Sequence, residues 1–289
     1  MALGNLAQRF LVAVVAAPIL LLVLYYERTE PAWALIFAAS LLAMREFFAM
    51  TLPPQDRRPA LVIGALACAA FYWLDWRTTA SCGGEAPRVL RAAIESGATL
   101  PLILAVIVPG LYYLFRFRDI PSVAGRFGAT VTGIVYAGFL TTFLAMLKRA
   151  FPQHGGDTVL LVLLVAWVSD TGGYFAGRFL GNTKLYEAVS PKKTWAGAWG
   201  GIAGAVVGVT VLKLVSAEWL TWVDVLALAV PGSILGQLGD LAESLIKRSV
   251  GVKDSGALLP GHGGMLDRID AVLFIAPYVY AYLILRTAL

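Results

Sequence analysis

Residues 247–285 read KRSVGVKDSGALLPGHGGMLDRIDAVLFIAPYVYAYLIL, and the change of character after Asp270 decides how the chain is built. Residues 247–270 hold seven charges, one histidine and five glycines, about twice the charge density of a chain that is 14% charged overall. Residues 271–285 hold no charge at all. A glycine-rich charged segment that runs straight into an uncharged stretch reads as a loop at a membrane surface followed by a spanning helix.

The rest of the chain supports that reading. Its 289 residues are 59% hydrophobic, with a mean hydropathy of +0.75. A soluble domain of that composition could not cover its apolar surface with polar groups. The apolar runs are continuous and do not alternate, which favours helices over a barrel. The expected fold is therefore all-α, a polytopic integral membrane protein of about nine transmembrane helices. The candidate spans are 10–26, 31–50, 59–74, 98–115, 127–147, 158–177, 195–212, 219–239 and 271–285. Three are interrupted: Arg45 and Glu46 fall in the second, Asp170 in the sixth, and Asp224 with Pro231 in the eighth. The first, with Arg9 at its start and no small-residue cleavage site, reads as a retained helix. Short connections leave one membrane domain, 1–289.

With the N-terminus in the cytoplasm, 15 of the 23 Lys and Arg residues fall on the inner side. The two glycine-rich charged loops expected at 170–194 and 240–270 then face the cytoplasm. Cys68 lies in a span and Cys82 in an outer loop, so neither a disulfide nor a metal-ligand spacing is expected. Gly200, Gly204 and Gly208 form a small-residue stripe for helix packing. Aromatic residues near span ends read as an interfacial belt.

Two segments carry the chemistry. In SDTGGYFAGRFLGNTKLYEAVSPKKTWAGAWGG, Ser169 to Gly201, an acid (Asp170) is followed by glycines at 172, 173, 177 and 181 and by Ser190, Lys192, Lys193 and Thr194. Glycines let backbone N–H groups approach an anion and lysines add point charge, which together hold a phosphate chain. The P-loop pattern is absent, because Gly177 continues as Arg178-Phe179. A positive-inside loop with turn glycines is the competing reading. In the second segment, Asp240, Ser244 and Lys247 fall at i, i+4 and i+7 of a helix with Glu243 beside them, and Asp267 and Asp270 lie at i and i+3 where the last helix begins. Carboxylates on two helix ends facing a lysine-rich loop suit a hydrated Mg²⁺ that bridges to phosphate oxygens. His262 is a candidate phosphate donor, whereas His154 reads as an outer-face turn.

GQLGDLAES, KRSVGVKDSGALLPGHGGMLDRID, SDTGGYFAGR and SPKKTW resemble the phosphatidate cytidylyltransferase, or CDP-diacylglycerol synthase, family over roughly the C-terminal two fifths of the chain. Two positions depart from the family pattern. Ala196 stands where an acidic or amide residue often follows K-T-W, and Ala271 where serine often follows the last Asp. The resemblance implies conversion of CTP and phosphatidate to CDP-diacylglycerol and diphosphate, with Mg²⁺ and a second cation, monovalent or divalent, as a further candidate. It implies metal ligation by Asp240 and Asp267, supported by Asp270, and phosphate binding by Lys192, Lys193, Lys247, Arg248 and Lys253. Asp254 and His262 join the catalytic set; Asp170, Ser190, Thr194, Ser244 and Arg268 join the substrate-binding set. Residues 1–150 become the scaffold and lipid-facing half and 151–289 the catalytic half. The expected setting is a bacterial-type inner membrane, with membrane lipids as partners, no nucleic acid, and a homodimer as a candidate assembly.

Three rivals differ in pattern. A CDP-alcohol phosphotransferase requires a D-G-x-x-A-R motif that is missing here. A transporter places its charges in mid-membrane on broken helices. A CTP-dependent polyprenol or phytol kinase, or another membrane lipid-phosphate transferase, is the nearest alternative in chemistry.

Overall fold

A computed structural model describes residues 17–79, 99–116, 119–256 and 263–288. Within them the chain is a bundle of helices with one small hairpin. Residues 17–25 are helical (α1), followed by α2 (Glu30–Thr51), α3 (Pro54–Thr79) and α4 (Thr99–Arg116). α5 (Ile120–Gly133) continues through a π-helical turn, Ile134–Phe139, into α6 (Leu140–Ala150). Then come α7 (Gly155–Leu180), the antiparallel strands β1 (Lys184–Tyr186) and β2 (Ser190–Thr194), α8 (Trp195–Val215), α9 (Trp222–Ser249) and α10 (Leu266–Ala288).

Six helices among the described residues are long and apolar enough to cross a membrane: α2, the continuous Ile120–Ala150 unit, α7, α8, α9 and α10. The expected span at 98–115 appears as a shorter apolar helix, Leu100–Arg116. The span at 59–74 lies within α3, where only 16 uncharged residues separate Arg58 from Asp75, fewer than the ~20 a perpendicular crossing takes. Most of the first expected span, with Arg9, lies outside the described residues, as do Cys82 and His262. Cys68 is buried in the core.

The helix ends form two polar rims. On one, Tyr25 and Ser216 donate to Asp157 at 2.6 and 2.9 Å, and Asp224 accepts from Thr221 in a capping box and pairs with Arg286 at 3.1 Å. The other gathers Glu46, Asp56, Arg126, Lys193, Asp240, Lys247 and Asp267, joined by the pairs Asp56–Arg126, Lys193–Asp240 and Lys247–Asp267. Between the rims lies an apolar core built on Met44, Phe48, Ile134, Leu161, Leu228 and Leu273. In a bilayer this core holds by close packing, since lipid tails are as apolar as the side chains.

Two local features explain how polar and irregular sequence is accommodated. Pro231 lacks the N–H that would reach Ala227 four residues earlier, and the Tyr278 hydroxyl donates to the Ala227 carbonyl instead. The glycines of the first expected loop are not in a loop. Gly172, Gly173 and Gly177 belong to α7, and a methyl at Gly172 would collide with the Gly200 carbonyl, as one at Gly204 would with the Val168 carbonyl. Their backbone N–H groups are committed to the helix, so they bring α7 and α8 together and do not cradle an anion. The stripe expected at Gly200, Gly204 and Gly208 does pack a helix, and that helix is α7. The second expected loop is likewise shorter, because α9 continues to Ser249 and stops at Gly251. There φ is +75°, and Val252 N–H returns to the Lys247 carbonyl at 3.0 Å.

Candidate active site

Where α7 turns into the hairpin, the Thr194 hydroxyl accepts the Gly197 N–H at 3.1 Å and caps α8. The hairpin therefore leaves β2 directly into a helix, with Lys192 and Lys193 just before the cap. They face a cavity of about 370 Å³ that is also lined by Asp170 and Arg178 of α7 and by Gln237 and Asp240 of α9. A second cavity, of about 390 Å³, is lined by Trp195, Trp199, Ile202, Ile234 and Leu238 and is almost wholly apolar. The two share Leu185, Ala198 and Gln237. Trp199 is 66% exposed and Leu238 50%, so the apolar cavity opens on the outer, apolar surface of the bundle.

Charge in the polar cavity is paired but crowded. Lys193 Nζ lies 2.7 Å from Asp240 Oδ2, and the Ser244 hydroxyl donates to Asp240 Oδ1 at 3.3 Å, one helical turn on. Asp170 and Asp270 both feel the repulsion of Asp240, while Lys193 and Arg268 attract Asp170. Three carboxylates thus share one electrostatic neighbourhood at the foot of α7, α9 and α10. Among the described residues, however, no three His, Cys, Asp or Glu side chains lie together as a ready metal-binding group.

A second knot adjoins the first. Lys247 donates to Glu243 Oε2 at 2.5 Å and to Asp267 Oδ1 at 2.6 Å. Asp267 Oδ2 accepts three further hydrogen bonds: the Ser255 N–H at 3.0 Å, the Ser255 hydroxyl at 2.9 Å and the Gly264 N–H at 2.8 Å. Gly263 beside it has φ +77°, and a methyl there would sit 2.8 Å from Asp267 Oδ2, so both backbone and space demand glycine. Glu243 is fully buried, and its Oε1 has no hydrogen-bond partner.

The structure brings Asp170, Lys192, Lys193, Thr194 and Asp240 together around the cavity; Ser244 joins them through Asp240 and Asp270 lies within the field of Asp240, with Lys247 and Asp267 in the adjoining knot. Ser190 opens β2, and Arg268 is exposed beside Asp170's field. Arg248, Lys253 and Asp254 are exposed at the end of α9, where the Arg248 guanidinium donates to the Val252 carbonyl at 2.9 Å. Sequence reasoning passed over Gln237, Ser255 and Glu46. Only Glu46 left a signal, as a charge inside an apolar span.

A model of the cytidylyltransferase family matches residues 7–285. The chain belongs to the cytidylyltransferase family. Two curated relatives align with this cytidylyltransferase along nearly their whole length. Phosphatidate cytidylyltransferase of Bacillus subtilis is 32% identical over 281 residues, 97% of this chain and 98% of the relative. The protein of the same name from Thermotoga maritima is 32% identical over 283 residues, 96% of each. Phosphatidate cytidylyltransferase of Brucella suis is more similar over a shorter stretch, 47% identical across 160 residues. That stretch spans 55% of this chain and 58% of the relative.

Proposed function

We propose that this membrane protein is a phosphatidate cytidylyltransferase, joining CTP to phosphatidate to give CDP-diacylglycerol and diphosphate for phospholipid synthesis. The observation that carries the proposal is the pair of cavities that share Leu185, Ala198 and Gln237, one lysine-bearing and polar, the other apolar and open toward lipid. One reactant is a water-soluble triphosphate and the other a phosphate fixed to the bilayer, and the two compartments match that division. The setting is a bacterial-type inner membrane with the N-terminus and the Lys193–Asp240 rim in the cytoplasm, in keeping with the excess of Lys and Arg on that side.

A phosphate monoester has a second pKa of ~6, so phosphatidate is already largely dianionic at neutral pH and needs no strong base. Its oxygen bonds to the α-phosphorus of CTP, the bond from that phosphorus to the bridging oxygen of diphosphate breaks, and diphosphate leaves with the electron pair. The residues must therefore neutralise and align, which is the usual task in phosphoryl transfer. Lys192 and Lys193 hold the triphosphate, and Gln237, in the wall common to both cavities, sits where the lipid phosphate meets it. Asp170 orients Lys193.

Mg²⁺ belongs to the same reading. Asp240 fits it well: the carboxylate is 33% exposed to the cavity and has a single lysine partner. Asp267 is less open: Oδ2 is taken by three protein donors and Oδ1 by Lys247 at 2.6 Å, so it would take an ion only by giving up that lysine. A hydrated Mg²⁺ typically uses one or two carboxylates and fills the remainder with water and phosphate. Asp240 and Asp267 would hold it, supported by Asp270, and the ion would supply charge neutralisation for the triphosphate.

The test uses the position of a label. Purified protein in phosphatidate-containing mixed micelles receives CTP labelled at the α- or the γ-phosphorus. Label from the α-position should appear in lipid and γ-label in diphosphate. Entry of γ-label into lipid would instead identify a kinase.

A further inference from the structure

Glu46 stands near the cytoplasmic end of α2, the helix that contributes no residue to either cavity, and it is only 9% exposed. Its carboxylate reaches across more than 200 positions of sequence into the turn that precedes α10. Oε1 accepts the Met265 N–H at 2.9 Å. Oε2 accepts the Leu266 N–H at 2.9 Å and the Ser255 hydroxyl at 3.1 Å. Gly256 and Gly264 crowd against it: a methyl at Gly256 would lie 2.7 Å from Oε1, and one at Gly264 would collide with both Ser255 Oγ and Glu46 Oε2. The turn is thus moulded around this one side chain.

Ser255 makes the arrangement more than a helix cap. Its single hydroxyl hydrogen lies between two acids, 3.1 Å from Glu46 Oε2 and 2.9 Å from Asp267 Oδ2, and its own N–H holds Asp267 as well. Asp267 in turn fixes Lys247 at 2.6 Å. An unbroken series of hydrogen bonds therefore runs from the N-terminal half of the chain to the charged residues at the foot of α9. A buried carboxylate is costly, and here it is stabilised by backbone N–H groups at the positive end of α10 and by one hydroxyl. An apolar residue would close the helix contact without that cost. What it would not do is hold Ser255 and the first turn of α10 in register with Asp267.

We propose that Glu46 is a positioning residue for the cytidylyltransferase reaction, acting through Ser255 to fix Asp267 and Lys247. The proposal rests on the phosphatidate cytidylyltransferase reading given above. Three variants in purified full-length protein test it: Glu46→Gln, Ser255→Ala, and Met44→Ala as a control for packing loss in the same helix, since Met44 is fully buried but touches none of these polar groups. Turnover is measured per folded molecule, with KM for CTP and the Mg²⁺ dependence, and amide hydrogen exchange is followed at Met265 and Leu266.

Glu46→Gln keeps the size but puts an NH₂ where a second acceptor is needed. It should lower kcat by about 10–100-fold with KM for CTP little changed, and speed exchange at Met265 and Leu266. Ser255→Ala, which leaves Glu46 in place and cuts its link to Asp267, should lower kcat in the same direction. Met44→Ala should reduce stability and leave kcat per folded molecule unchanged. Should Glu46→Gln not fold, Ser255→Ala decides, and normal kcat in that variant overturns the proposal. Normal kcat in folded Glu46→Gln overturns it too, as does a loss in proportion to unfolding like that of Met44→Ala. Wild-type protein that makes no CDP-diacylglycerol would reject the functional reading instead, while the exchange measurement would still report whether Glu46 holds the turn.

Discussion

Replacing Lys247 with methionine keeps most of the side chain's length and removes its charge. The ammonium lies 2.5 Å from Glu243 Oε2 and 2.6 Å from Asp267 Oδ1, and the three side chains are 10%, 1% and 13% exposed, so solvent cannot take over either contact. The consequences for the two acids differ. Asp267 retains Ser255 and Gly264 as donors, whereas Glu243 loses its hydrogen-bonding partner. Of the two contacts, only Lys247–Asp267 joins α9 to α10, and a hydrogen bond between membrane helices contributes about 0.6–1.7 kcal/mol, which sets the lower bound. Leaving a buried charge without its partner costs about 3–5 kcal/mol, which sets the upper bound. Lys247→Met should therefore lose about 2–4 kcal/mol of stability, measured by equilibrium unfolding in mixed micelles. Adding Glu243→Gln removes the stranded charge, so the double variant should be more stable than the sum of the singles by about 1–3 kcal/mol. A Lys247→Met protein within about 0.5 kcal/mol of wild type, or an additive double variant, would refute the reasoning.

Gly263→Ala forces a side chain into φ +77° and 2.8 Å from Asp267 Oδ2, and should cut turnover by about tenfold or more in a steady-state assay, equivalent to roughly 1.4 kcal/mol of misalignment. Tyr278→Phe leaves the Ala227 carbonyl opposite Pro231 without its donor; a loss of about 1–3 kcal/mol in unfolding experiments should accompany unchanged turnover. Lys253→Cys, placed in a Cys82→Ser background, puts a thiol at an exposed position after α9. An impermeant reagent should label it only after cells are permeabilised, and labelling in sealed cells would reverse the proposed orientation.

Much of the fold is legible because the bilayer imposes a coarse rule. Continuous apolar runs such as 271–285 mark helices, and the charged stretches between them mark the rim on which Lys193 meets Asp240 and Lys247 meets Asp267. Glycine is less legible, since the same residue serves a turn, an anion cradle or a close helix crossing. Gly172, Gly173 and Gly177 read as a loop because they follow Asp170, yet their four- and five-residue spacing suits the α7–α8 contact just as well. Lengths are also blurred: Asp240 lies within α9, since one acid at the rim does not end a helix. Pairings escaped altogether. Lys193 and Asp240 are 47 positions apart, and Glu46 and Leu266 are 220 apart, so only the packing of α2 against the start of α10 discloses the partner of a charge that in sequence looks like a flaw in a span.

Transfer of the α-phosphorus of CTP into lipid by Asp240→Asn, beside wild type, bears most directly on where the reaction takes place. Asparagine keeps the size of the side chain and its contact with Ser244 but removes the charge that meets Lys193 and would meet Mg²⁺. With normal unfolding of the purified variant, transfer should fall by about 100-fold or more. Near-normal transfer with an unchanged Mg²⁺ requirement would contradict the assignment of the Lys193–Asp240 cavity as the nucleotide site.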